Sequence, residues 1–225
     1  MVENKGATTQ PWVALFDLDG TLTWRDTLLP FLLGFMRRHP QRLLRLWPLP
    51  FALYTYWRDR DRGVLKSRVI RMVMGGARRQ VLEAWAESFV SALKPRHKFR
   101  PLALAILETH RAAGDHPVLL SASPDLYVRD IGRLLGFELT LCTELHWSGD
   151  RLDGHLKTQN RRGEEKLRCL TWLRERYPDL PIIAYGNSAS DLDHLRHADR
   201  ALLVNGNSAA RRLAAKFGIA VSNWD

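Results

Sequence analysis

Two aspartates one residue apart, Asp17 and Asp19, stand at the end of the apolar run Trp12-Val13-Ala14-Leu15-Phe16 and are followed at once by Gly20 and Thr21. The apolar run reads as a buried strand, and Asp-x-Asp-Gly as the loop where it ends. Carboxylates held this close repel one another, and keeping them costs stability unless a cation or a proton lies between them. A hard divalent cation such as Mg²⁺ suits the pair, because it prefers oxygen ligands and takes few of them from protein. The alternative is a surface Asp-Gly turn with solvated carboxylates.

Two later stretches repeat the pattern of an apolar run ending in polar residues. Residues 117–120 lead into Ser121-Ala122-Ser123-Pro124, and residues 181–185 into Gly186-Asn187-Ser188-Ala189-Ser190-Asp191. Helical patterns separate these runs: 102–113 stopped by Gly114, 125–135 stopped by Gly136, 163–177, a helix through Arg196, and 208–217. Residues 139–145 and 201–204 read as strands, and Ser148-Gly149-Asp150 as a turn into a short return strand near 152–156. Strands alternating with helices predict an α/β fold, a doubly wound, Rossmann-like parallel sheet covered on both faces. Ligands of such sheets bind beyond the carboxyl ends of the strands. The polar loops DLDGT, SAS and GNSASD all fall there, and their coincidence is the functional signal.

Residues 28–94 differ in character and are expected to form an α-helical cap on a core made by 1–27 and 95–225. The apolar stretch 28–36 turns basic at Arg37-Arg38-His39. A second one, 46–57, contains Pro48 and Pro50 and ends in Arg58-Asp59-Arg60-Asp61-Arg62. Prolines so close forbid a regular straight helix, so a bent or hairpin-like apolar element is expected. It either packs inward with its arginines solvated or enters a lipid interface, where Trp, Tyr and Arg are favoured neighbours. Leu65, Val69, Met72 and Val73 then recur at helical spacing as far as Gly75-Gly76, and 81–93 reads as a further amphipathic helix.

Twelve Lys/Arg and two acids, Asp59 and Asp61, fall between Arg37 and Arg79, a surplus equal to the chain's whole formal charge of +10. A localised basic surface attracts phosphates, nucleic acid or anionic membrane. The continuous apolar content of this segment, in place of isolated stacking aromatics, argues against nucleic acid. Cys142 and Cys169 show no metal-ligand spacing and no disulfide framework. The polar start MVENKGATTQ lacks the apolar segment of a secretory signal, and no stretch is long enough to cross a membrane without interruption. A cytoplasmic location is expected, with peripheral contact at the inner face of the membrane left open. The sequence gives no indication of oligomeric state.

In chain order, Asp17-x-Asp19-Gly20-Thr21, Ser121 after an apolar strand, Lys166 at a helix start and Gly186-Asn187-x-x-x-Asp191 resemble the four motifs of the haloacid dehalogenase superfamily, mostly Mg²⁺-dependent phosphatases. The resemblance covers the chain from about residue 11. The insert directly after the first motif resembles the subgroup containing the phosphoserine phosphatases. The DGTLTxxDT start, the apolar insert and the GEEK around Lys166 look like bacterial phosphatidylglycerophosphatases.

The resemblance implies a Mg²⁺-dependent phosphomonoester hydrolase working through an aspartyl-phosphate. Its substrate is expected to be a lipid phosphate such as phosphatidylglycerol phosphate or, alternatively, a phosphoserine-like small molecule. By resemblance Asp17 is the nucleophile and Asp19 the general acid/base. Thr21, Ser121 and the backbone at Ala122 hold phosphate oxygens, Lys166 supplies fixed positive charge, and Asp17, Asp19, Asn187 and Asp191 form the metal site. Plainer readings stand beside these. Ser121 or Asp125 could cap the helix that follows, Ser123 reads as a cap, and Lys166 by spacing alone is a surface lysine. Asp26 lies nine residues after Asp17, where phosphoserine phosphatases carry a substrate-binding glutamate, and equally reads as a helix N-cap. Arg161 and Arg162 read as a solvated pair or reach a second phosphate. Most of the family has Asp where this chain has Asn187. An amide oxygen still coordinates Mg²⁺ but brings no charge, so metal affinity should fall. An inactive phosphate- or lipid-binding relative is the corresponding alternative.

Overall fold

Val13–Phe16 (β1) carries no polar side chain and is buried at every position, which suits a strand in the interior of a sheet. The computed structural model describes residues 10–93 and 98–225. Five further strands share a sheet with β1: His116–Pro124 (β2), Leu139–Thr143 (β3), Ile182–Gly186 (β6), Arg200–Val204 (β7) and Ala220–Ser222 (β8). Their order is β3-β2-β1-β6-β7-β8, and every neighbouring pair is parallel. The chain steps outward from β1 through β2 to β3, then returns to β6 on the other side of β1. That reversal opens a crevice at the carboxyl ends of β1 and β6.

Alternate residues of β1 feed two cores. Ala14 and Phe16 join a cluster with Leu119, Tyr127 and the residues of the inserted helices. Val13 and Leu15 join Val118, Leu120, Leu170 and Leu195 on the opposite face. The period-two alternation of a strand therefore produces the doubly wound α/β architecture expected from the sequence. Helices Pro101–Ala112 (α5), Asp125–Leu135 (α6), Glu164–Arg176 (α7), Leu192–Leu195 (α8) and Ser208–Lys216 (α9) cover the sheet.

Between β1 and α5 come Leu28–Arg38 (α1), a 3₁₀ turn Pro40–Leu46, Leu49–Asp59 (α2), Arg62–Met74 (α3) and Arg79–Ala92 (α4). Phe31 of α1 lies 4.4 Å, ring to ring, from Tyr127 of α6, and Phe89 of α4 lies 5.4 Å from the same ring. The polar start 1–9 and the expected cap boundary at 94–95 lie outside the described residues. No helix among the described residues is long and apolar enough to cross a membrane.

Several sequence expectations are corrected. β2 does not end at Leu120: it continues through Ser121–Ser123 with a register shift before Pro124, and the Ala122 carbonyl accepts a hydrogen bond from Thr143 Oγ1 at 2.8 Å. The run 139–145 is two strands. β3 stops at Thr143, and Leu145–Ser148 (β4) pairs antiparallel with Arg151–Leu156 (β5) as a separate hairpin against α3. The helix expected through Arg196 is a 3₁₀ turn, Ala189–Asp191, followed by the short α8. Pro48 and Pro50 do not bend a helix. They sit at the start of α2, where the missing N–H groups have no intrahelical partner to lose, and α2 runs on regularly. Nor does this segment pack inward: Ala52 alone is buried in α2, and nothing is buried in the 3₁₀ turn before it.

Because Phe31 packs in the same cluster as β1 and α6 residues, Phe31→Ala should destabilise the fold by about 3–5 kcal/mol in chemical denaturation. Tryptophan fluorescence and circular dichroism should follow one common transition. A separate early melting of α1–α4 would contradict this.

Candidate active site

At the end of β1 the chain places Asp17 in extended conformation, its N–H bonded to the Tyr185 carbonyl of β6 at 3.0 Å. Lys166, in the first turn of α7, reaches it: Nζ donates to Asp17 Oδ1 at 2.6 Å and to Asp191 Oδ1 at 2.7 Å. All three side chains are buried. Asp191 is held further by donors to its Oδ2 from the Asn187 and Ser188 N–H groups and from Ser188 Oγ, at 3.2, 2.9 and 2.7 Å. These bonds close the loop after β6. Gly186 is required there, because a Cβ would lie 2.7 Å from Asp191 Cβ.

One buried ammonium between two carboxylates leaves the trio one negative charge in surplus. Burial disfavours charge on all three groups. At Lys166 the two carboxylates outweigh it and hold the ammonium protonated, above its ordinary range. At Asp191 Lys166 and the hydrogen bonds from Ser188 outweigh it, and the carboxyl is held far below its ordinary range. Asp17 takes the strain. Burial pushes it up to about 7, against Lys166 and helped by the neighbouring Asp191 charge. His194, buried behind the trio, is pushed down to about 3 by burial and Lys166 and stays neutral.

Asp19 faces the other way. Its Oδ1 accepts from Thr27 N and Thr27 Oγ1 at 2.7 and 2.6 Å, and its Oδ2 from Ser123 Oγ at 2.6 Å. Thr27 Oγ1 is bonded in turn to the Tyr127 hydroxyl at 2.9 Å. Burial, and then Asp26, raise the Asp19 pKa against these donors. A serine hydroxyl can donate to the carboxylate or accept from the carboxyl, so Ser123 supports both protonation states. Gly20 directly follows Asp19 with φ +87°, and a Cβ there would collide with Asn187 Nδ2. Glycine is needed both for that backbone conformation and for the close approach of Asn187.

The remaining expected residues divide. Thr21 is buried and donates to Asp17 Oδ2 at 3.0 Å. Ser121 is wholly buried with its Oγ accepting the Ser123 N–H, whereas Ala122 and Ser123 line the cavity. None of Ser121, Ser123 or Asp125 caps α6. Asp26 accepts the Leu29 N–H at 3.0 Å, as an N-terminal cap of α1 does, and also lines the cavity. Arg161 and Arg162 are not a solvated pair: Arg161 Nε donates to the Cys142 carbonyl at 2.7 Å, and Arg162 lines the cavity.

The cavity holds about 470 Å³ between the strand ends and the inserted helices. Two residues that sequence reasoning missed matter here. Ser123 is the partner of Asp19 described above. Lys66 of α3 donates from Nζ to the Ala122 carbonyl and to Asn160 Oδ1, each at 2.6 Å, and so ties the inserted helices to the site. Burial pushes Lys66 down to about 8. Helical spacing marked α3 as amphipathic but gave no sign that this lysine turns toward β2.

The donor set can be tested against a cation. The carboxylate oxygens of Asp19 are occupied by hydroxyl and N–H donors, and Asp191 Oδ2 takes three donors. Each Asp17 oxygen, Asp191 Oδ1 and Asp19 Oδ2 takes a single donor and keeps acceptor capacity, and all four expected metal ligands, Asn187 included, line the cavity. Among the described residues no group of three or more His, Cys, Asp or Glu forms a metal cluster. A cation that takes one or two protein oxygens and completes its shell with water and phosphate fits, and Mg²⁺ is such a cation. The unbalanced charge on Asp17 points the same way.

The arrangement agrees with comparison to known proteins. The family model of haloacid dehalogenase-like hydrolases matches residues 14–196. Protein CicA of Caulobacter vibrioides is 38% identical over 196 residues, covering 84% of each chain. A protein of unknown function from Bordetella pertussis superposes with a TM-score of 0.79 at 22% identity, over 96% of this chain and all of that one. A phosphoserine phosphatase with an analogue of its phospho-aspartyl intermediate superposes with a TM-score of 0.66 at 12% identity, over 96% and 95% of the two chains. With Asp17, Lys166 and Asp191 converging where its sheet reverses, this chain belongs to the haloacid dehalogenase-like hydrolases.

Proposed function

We propose that this hydrolase is a Mg²⁺-dependent phosphomonoesterase in which Asp17 is the nucleophile. The observation that carries the reading is the buried Asp17–Lys166–Asp191 trio opening on a cavity lined by cations from the inserted helices. Asp17 would attack phosphorus as the bond to the leaving oxygen breaks, and Asp19 would give that oxygen its proton. Asp19, now a carboxylate, would take a proton from water. The water oxygen attacks phosphorus, and the bond to Asp17 breaks to release phosphate. Lys166 favours the ionised nucleophile against its burial and offers charge to the phosphoryl group, the electrostatic contribution on which phosphoryl transfer chiefly depends. A bound Mg²⁺ would screen the anionic nucleophile from the anionic phosphate, with Asp17, Asp19, Asn187 and Asp191 at the cavity to hold it.

For the substrate we take a lipid phosphate, such as phosphatidylglycerol phosphate, as the first reading, because Arg62, Lys66 and Arg162 all line the cavity and suit a second anionic group. A phosphoserine-like substrate is the second reading, supported by the fold neighbours and by Asp26 at the cavity. Turnover of phosphoserine against a phospholipid monoester in detergent micelles separates them.

Hydrolysis of p-nitrophenyl phosphate should require Mg²⁺, and Asp17→Asn should lower it by about 10³-fold or more. Hydrolysis that persists in Asp17→Asn or in excess chelator would overturn the mechanism. Asn187→Asp adds an anionic ligand and should lower the Mg²⁺ concentration for half-maximal rate by about tenfold. Activity in that variant alone would instead identify the natural chain as an inactive binder.

Lys66 is charged below about pH 8 and neutral above it. If its charge helps hold the phosphate, kcat/KM falls as pH rises through that value. In Lys66→Arg, whose guanidinium stays charged, that falling limb should be lost.

A further inference from the structure

The 3₁₀ turn Pro40–Leu46 and α2 invert the usual distribution of apolar residues. Leu44 and Trp47 are 81% and 83% exposed, and Phe51, Tyr54 and Trp57 of α2 are 64%, 57% and 67% exposed. Phe51, Tyr54 and Trp57 recur at the spacing of one helix face, while the opposite face sets Ala52 and Thr55 toward α3. Single exposed apolar residues are ordinary, but a contiguous face of this kind marks an interaction site.

Its surroundings identify the partner. Arg37, Arg38 and Arg45 precede or interrupt the face and are exposed, and Arg58 and Arg60 follow it at the end of α2. An apolar groove of about 510 Å³ between the 3₁₀ turn, α2 and α3 is lined by Leu44, Trp47 and Phe51, with Arg45, Arg68 and Arg71 among its walls. Indole and phenol rings set among guanidinium groups match the boundary between lipid headgroups and acyl chains, and the arginines match anionic headgroups. A second copy of this chain would bring the same positive charge to the contact.

We propose that this face docks on the surface of an anionic lipid bilayer. The rings enter the headgroup boundary, and the arginines at either end lie against lipid phosphates. The placement also relates the surface to the site. The loop after α2 leads directly into Arg62, which lines both the active-site cavity and the wide cleft of about 1110 Å³ beside it. The inference goes beyond the phosphatase reading, and its readout needs no turnover, so the two fail separately.

The test is flotation of the whole protein with phosphatidylglycerol-containing vesicles, and with pure phosphatidylcholine vesicles, at low and physiological salt. The protein should float with the anionic vesicles and bind phosphatidylcholine far less. The triple variant Trp47→Ser, Phe51→Ser, Trp57→Ser should lower anionic-vesicle binding by about tenfold or more, with p-nitrophenyl phosphate hydrolysis and thermal unfolding unchanged because these side chains are exposed. Arg58→Gln with Arg60→Gln should lower it by a similar factor and weaken its salt dependence. Absence of wild-type protein from the floated anionic fraction at low salt would overturn the proposal. So would a wild-type dimer in sedimentation that the triple variant turns into a monomer while lipid binding persists.

Discussion

The fold's chemistry depends on one ammonium group shared by two buried carboxylates. Lys166 comes from the first turn of α7, a place where the helix dipole favours negative charge, and Glu164 and Glu165 occupy the same turn. A lysine there opposes the dipole and is nearly withdrawn from water. Desolvating a charge costs several kcal/mol even after the protein relaxes, so the position holds only while both carboxylates face it. Those carboxylates are supplied by the end of β1 and the loop after β6, the two neighbouring strands on either side of the sheet's reversal. The parallel order thus brings the three charges together, and the charges in turn pin α7 and the β6 loop to the end of β1.

What was legible in the sequence is what local pattern determines. The unbroken apolar run of β1 and the Asp-x-Asp-Gly after it gave both a strand and its position, because burial on two faces and a tight turn each leave a local mark. Gly114 and Gly136, with φ +78° and +71°, end their helices as read. What escaped depends on partners distant in sequence. Ser123 reads as a cap until β2 carries it across to Asp19, 104 residues earlier in the chain. The division of 139–145 is likewise tertiary. Nothing in that apolar run shows that β2 can pair only as far as Thr143, or that β5 waits beside α3 to take Leu145.

The inserted helices illustrate a different limit. Apolar periodicity says which residues share a face, not whether that face turns inward. In α1 and α4 the face lies against Tyr127 and joins the core, and there the pattern was a sufficient guide. In α2 a comparable apolar content faces outward. The difference lies in what is available to pack against. α3 offers α2 a side already occupied by Ala52 and by Arg68, which donates to Thr55 Oγ1 and lies over the Phe51 ring, leaving the larger rings no interior to enter.

Asn187 bears on the charge balance around the buried trio. With Asp17 and Asp191 ionised and Lys166 protonated, the trio carries one negative charge, and a divalent cation in the proposed position would bring it to one positive. A phosphate dianion would then meet net positive charge from the trio and the cation. An aspartate in place of Asn187 would hold the cation more firmly but cancel the one positive charge of trio and cation, with less pull on the dianion. Lys66, Arg62 and Arg162 stand at the same cavity and add to that pull. In the proposed metal-loaded site the amide would exchange strength of metal binding for attraction of the anion. The close packing of its side chain on Gly20 keeps the amide at the edge of that cavity.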